Sequence, residues 1–111
     1  MPRKMVRMTV MKRVDPSVIF DGEASINPGS GRPFEICTTF EEGQEFLVET
    51  DNAMLEGFCP QAWHDIFRKL GVLHWEGKYG ALPAEGQIVA CCIDGIRPVS
   101  FRLERMDELP R

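Results

Sequence analysis

Four cysteines stand at positions 37, 59, 91 and 92, and their spacing decides which sulfur chemistry is open to the chain. No pair has the Cys-x-x-Cys spacing of a zinc site or redox dithiol. Cys91 and Cys92 are adjacent in the run GQIVACCI. Neighbouring side chains of a strand point to opposite faces, so one site rarely uses both. A metal site would require Cys37, Cys59 and Cys92 to converge from separate segments, with His64 or water as a further ligand; zinc or iron would suit such a set. Cys59 precedes Pro60 in GFCPQAWHDIF. Proline needs no amide partner at the first helical position, so this order puts Cys59 at the N-cap. There a sulfur faces free N–H groups and the positive end of the helix dipole, which lowers a thiol pKa below about 8.5. The competing reading is a small side chain tucked under Trp63, with Phe58 stapling the helix entry.

Arg97 is the other residue suited to chemistry. A guanidinium beside Cys92 would favour its thiolate or bind an anionic ligand; equally, Arg97 can hold a hairpin tip by bonding Asp94 or a backbone carbonyl. His64 and Asp65 are adjacent on a helix and do not face each other, which disfavours an acid–base pair. His74 has no ligand-like partner nearby in sequence, and both histidines read as surface residues. Trp63, Trp75, Tyr79 and several phenylalanines could wall an aromatic pocket, although core packing is the default for such residues.

The elements that must position these groups follow from periodicity. MVRMTVM, residues 5–11, places Val6, Met8 and Val10 on one face and Arg7 and Thr9 on the other, as in a half-buried strand. Asp15 and Pro16 mark a short helical turn. GEASINPGSGRP is punctuated by glycine and proline and reads as a long surface loop. A strand carrying Phe46 and Val48 follows the turn at Glu42-Gly43. The principal helix runs from Pro60 to about Leu70, with Trp63, Ile66, Phe67 and Leu70 as its buried stripe and Gly71 as its stop; the VLHWEGKYG segment after it either prolongs the helix or turns to extended chain. GQIVACCI and IRPVSFRLERM flank Asp94-Gly95, a strong hairpin signal. A two-residue turn would oppose Ile93 to Ile96, Cys92 to Arg97, Ala90 to Val99 and Ile88 to Phe101. Cys92 then points inward and Cys91 outward. The expected fold is α+β: a small, mostly antiparallel sheet or partly closed barrel packed on one main helix, in a single domain spanning 1–111.

The formal net charge is −4 and the isoelectric point is near 5.2. No Lys/Arg cluster occurs beyond the first thirteen residues, where Arg3, Lys4, Arg7, Lys12 and Arg13 read as a solvated strand face. A nucleic-acid partner is therefore not expected, since such binding rests on clustered phosphate-neutralising side chains. No apolar run is long enough to span a bilayer, and the N-terminal residues lack a secretory pattern, so a cytoplasmic location with reduced thiols is expected.

VRMTVMKR, CTTFEEGQEF, GFCPQAW and CCIDGIRPVSFRLER together resemble a family of small proteins of no assigned activity, found mainly in anaerobic bacteria and archaea. Its members carry a KVxITVLKR-type strand, a GQEF-like turn after a cysteine segment, a GFCxWAWxDIY-type helix start and a CxDGxRPVxFxxER ending. The resemblance covers most of the chain and marks Cys37, Cys59, Trp63, Cys92, Asp94, Gly95, Arg97 and Pro98 as motif positions. Gln61, Thr38 and an expanded loop from Asp21 to Pro33 depart from the pattern. The leading expectation is a thiol-centred site of Cys59, Cys92, Arg97 and Cys37, with Trp63 and Asp94 beside it, taking a metal ion or a small anionic or electrophilic ligand. The alternatives are a cofactor-independent enzyme or binding module for a small metabolite, aromatic or not, and an accessory subunit forming a homo-oligomer through a sheet edge.

Overall fold

The computed structural model describes residues 4–50, 53–75, 86–92 and 94–106. Its frame is an antiparallel four-stranded sheet made by β1 (Val6–Arg13), β4 (Glu45–Val48), β5 (Gln87–Cys91) and β6 (Val99–Arg105), in the order β4-β1-β6-β5. Helix α2 (Pro60–His74) packs on one face. The four-residue α1 (Pro16–Ile19) and a two-stranded hairpin, β2 (Ile26–Asn27) with β3 (Arg32–Pro33), lie between β1 and β4 in the chain. The fold is α+β as expected, and the sheet is open rather than a closing barrel. No helix among the described residues is long and apolar enough to cross a membrane.

Alternation along β1 puts Val6, Met8 and Val10 in the core beside Phe101 and Leu103 of β6. Each side chain of this size contributes about 1.5–3 kcal/mol on full burial. A bulge at Met11 shifts the β1–β6 register between Val10 and Lys12. The extra residue inverts the facing of the rest of the strand, so Arg13 lies opposite Val99 on the core side of the sheet. Arg13 is therefore not part of the solvated basic face expected for it: its Nε pairs with Glu42 at 2.9 Å and its Nη1 donates to the Cys37 carbonyl at 3.0 Å. Thr9 also departs from expectation. It is buried, with its hydroxyl unpartnered among the described residues.

Asp15 caps α1 by accepting from the Ser17 amide at 2.9 Å, with Pro16 in the first turn. The region expected to be a long surface loop contains the β2–β3 hairpin. Asn27 tightens its turn, accepting from the Gly29 amide through Oδ1 and from the Gly31 amide through its carbonyl. Gly43, at φ +84°, supplies the positive φ of the turn that leads into β4.

Helix α2 does not stop at Gly71 but runs to His74. An interior glycine costs about 1 kcal/mol relative to alanine. Complete burial of Leu73 just beyond it outweighs that cost. The buried stripe is Ala62, Trp63, Ile66, Leu70, Leu73 and His74. Phe67, expected within it, lies at its margin and is 48 % exposed. His74 is buried rather than at the surface, its Nδ1–H donating to the Lys4 carbonyl while the Lys4 amide donates to the His74 carbonyl. Phe40, Phe46, Phe58, Trp63 and Phe101 interlock at the helix entry, Phe40 meeting Phe101 edge-on with centroids 5.2 Å apart. Trp63 and the phenylalanines of this cluster are core, and Trp75 is exposed. Tyr79 and the Ile93–Ile96 pairing lie outside the described residues.

Candidate functional site

The strands of the last hairpin pair as Ile88↔Leu103, Ala90↔Phe101 and Cys91↔Ser100. Relative to the pairing expected from a two-residue turn, the register has slipped by two residues. An even slip preserves facing, so Cys92 packs against the core and Cys91 points outward as expected. The last rung is unusual. The Cys92 amide donates to the Val99 carbonyl at 3.1 Å, but the Val99 amide donates to Cys92 Sγ at 3.3 Å, so sulfur replaces the ladder's final carbonyl. The Cys91 thiol donates to that displaced Cys92 carbonyl at 3.1 Å. Partial desolvation, then the proximity of Cys92, pushes the Cys91 thiol above its ordinary value, which disfavours a thiolate at this exposed position.

The longer connection leaves Arg97 beyond the ladder instead of opposite Cys92, a correction to the expected cross-strand pair. Asp94 organises it. Its Oδ1 accepts from the amides of Ile96 and Arg97, both at 2.9 Å, and its Oδ2 lies 3.3 Å from Arg97 Nε. Desolvation pushes the Asp94 carboxyl up, but the two amides and the guanidinium together outweigh it and hold the carboxyl below the ordinary range. Arg97 in turn lies over the Phe34 ring, with Cζ 5.5 Å from the centroid. Fixed from two sides, its planar head is pre-organised and keeps terminal N–H donors beyond those that Asp94 engages.

Arg97 lines a cleft of about 280 Å³ together with residues of the β2–β3 hairpin and the chain just after it. Asn27, Ser30, Arg32, Glu35 and Thr38 line it with Arg97, and Pro33 and Ile36 add apolar surface. Cys37 lies between two lining residues. Its carbonyl is tied down by Arg13, and its side chain packs against the core. Thus Arg97, Asp94 and the backbone of Cys37 meet at this end of the molecule.

Cys59 occupies the N-cap, with extended backbone at φ −64°, ψ 117°, but its side chain makes no capping hydrogen bond. It packs against the core with Cys37 and Cys92. Lys69 Nζ donates to the Val89 carbonyl at 3.3 Å, and Arg105 Nε to the Leu73 carbonyl at 2.7 Å. These contacts set α2 antiparallel to β5, so its N-terminus lies toward the hairpin tip. Even so, among the described residues no three His, Cys, Asp or Glu side chains are grouped so as to hold a metal ion. Cys37, Cys59 and Cys92 therefore do not make the expected ligand set for zinc or iron, and His64 is solvent-facing, with its side chain 88 % exposed.

Arg32, Ser30, Glu35 and Asn27 are cleft residues that the sequence does not single out, and Thr38 is marked there only as a departure from the family pattern, because all of them sit in or beside a stretch with the composition of a loop. Asn27-Pro28-Gly29 is the available signal, a turn tripeptide with extended-compatible residues on either side. The chain matches no family model, no curated protein and no solved structure.

Proposed function

We propose that the protein is a binding module for a small anionic ligand, held in the cleft between the β2–β3 hairpin and the β5–β6 tip. The observation that carries this reading is the convergence of Arg32 and Arg97 on one concave surface. Arg97 is braced by Asp94 and Phe34, so little side-chain entropy remains to be lost when its guanidinium grips a carboxylate or phosphate. Ser30 and Asn27 use oxygen atoms as acceptors within the turn, which leaves the Ser30 hydroxyl proton and the Asn27 amide N–H groups for a ligand. The stretch around Asp94 and Arg97 also belongs to the motif by which the chain resembles the small-protein family, and in this reading that motif builds the rim of an anion site. Cys37 and Cys92 pack behind it, and Cys59 supports the helix entry.

Thermal unfolding with added small carboxylates and inorganic phosphate tests this. A ligand at about ten times its Kd stabilises by about 1.4 kcal/mol, on the order of 5 °C in Tm for a domain of this length. The shift should disappear in Arg32→Gln, whose exposed side chain makes no ion pair with the described residues. Equal stabilisation of wild type and R32Q, or none in either, would contradict the reading.

A further inference from the structure

The anion site contains a charge that a site for a simple anion would lack. Glu35 lines the same cleft as Arg32 and Arg97. Among the described residues, neither Glu35 nor Arg32 forms an ion pair, and Arg97 pairs with Asp94 rather than with Glu35. Opposite charges therefore line one small cleft without neutralising each other. A dianion placed there would gain from the arginines and be repelled by Glu35. A ligand carrying its own ammonium group beside its carboxylate would satisfy both.

We infer that the ligand class is amino-carboxylate: a small zwitterion of amino-acid type, its carboxylate toward Arg32 and Arg97 and its ammonium toward Glu35. This inference rests on the anion-binding reading and narrows it. The leftover hydrogen-bonding groups agree. The Ser30 hydroxyl, the Asn27 amide and the arginine N–H groups are donors for a carboxylate, and Glu35 is an acidic acceptor for an ammonium group. Pro33 and Ile36 offer apolar surface to a short side chain. The cleft volume of about 280 Å³ is on the scale of a small-molecule site. The charged walls are solvent-exposed, so affinity should be modest, with Kd on the order of 1 mM.

Calorimetric titration at fixed ionic strength with alanine, propionate and ethylamine separates the contributions, since the three are small aliphatic molecules that differ chiefly in the charges they carry. Wild-type protein should bind alanine about fivefold tighter than propionate, the most that one exposed ion pair supplies, and ethylamine should not bind measurably. In Glu35→Gln the preference for alanine should vanish while propionate binding is retained or improved. In Arg32→Gln both ligands should weaken. Equal binding of alanine and propionate by wild type, or a preference that survives E35Q, would overturn the amino-carboxylate inference and leave the anion site standing. Failure of all three to bind would overturn both. Glu35 is exposed and lies outside every helix and strand, so E35Q is a change of charge and not of fold.

Discussion

Asp94 does at the residue scale what a longer turn would otherwise need several residues to do. One carboxylate oxygen takes two backbone amides and the other meets Arg97 Nε. Hydrogen bonds to a charged acceptor contribute about 1.5–3 kcal/mol in favourable cases, and a partly exposed carboxylate falls at the low end. Asp94→Ala should therefore cost about 1–2 kcal/mol at pH 7, measured by urea unfolding. Because the folded-state carboxyl is held below its ordinary value, the contribution is fully present above about pH 4. It is lost as the pH falls through the lower folded value, so the wild-type advantage over D94A should shrink with acidification. An advantage that grows with acid would contradict this assignment. Cys59 makes a contrasting case. It stands where a cap belongs yet makes no capping bond. Cys59→Ser would supply an oxygen acceptor and should stabilise by about 0.5–1 kcal/mol. A loss of stability would mean that the sulfur's packing against the core matters more than the missing cap. Both positions are legible in the sequence, Cys59 from Pro60 and Asp94 from Gly95. The side-chain geometry at either is not, because it depends on contacts outside the local stretch.

At the scale of elements, periodicity fixes the faces of the strands, while punctuation marks where elements begin more faithfully than where they end. The alternation of Val6, Met8 and Val10, and of Val99, Phe101 and Leu103, identifies the core faces of β1 and β6, because a face set by period two survives any even change of register. Hence Cys92 faces inward, as its parity predicts, although the turn is longer than Asp94-Gly95 implies. Gly71 misleads because a single glycine is a weak stop when the chain beyond it can bury Leu73. The same fact yields a test. A Cβ added at Gly71 meets nothing within 4 Å and the backbone there is helical, so Gly71→Ala should stabilise by about 0.5–1 kcal/mol. A destabilised G71A, again by urea unfolding, would place the end of α2 at Leu70 after all. Lys69 illustrates a role that periodicity does not show. It lies on the polar side of α2, yet its ammonium donates to the Val89 carbonyl of β5, which among the described residues pairs on one side only, and so blunts that edge against pairing with another chain.

For the molecule as a whole, the order β4-β1-β6-β5 places the first and last strands side by side at the centre of the sheet. No local pattern specifies that pairing; it follows from burying two apolar strand faces beneath one helix. The cleft has the same origin. Residues 27–38 and Arg97 are far apart in sequence and meet where Arg13, turned inward by the bulge at Met11, anchors the Cys37 carbonyl and Phe34 receives the Arg97 guanidinium. Arg97 is legible in the sequence as a candidate for binding an anion or holding the hairpin tip, but Arg32 and Glu35 are not singled out, since nothing in the loop's composition tells which distant residue it faces. The thiol-centred expectation fails as a metal set for a related reason. Cys37, Cys59 and Cys92 all pack on the same core, but sharing a core does not aim three sulfurs at one point. The most direct test is a titration of uniformly ¹⁵N-labelled protein with propionate, following the side-chain Nε–H resonances of Arg32 and Arg97. Saturable shifts of both, accompanied by the amides of Ser30 and Thr38 and absent along Trp63–Phe67, are the predicted result. Resonances at Arg32 and Arg97 that stay fixed, or shifts spread evenly over the exposed arginines, would contradict the account.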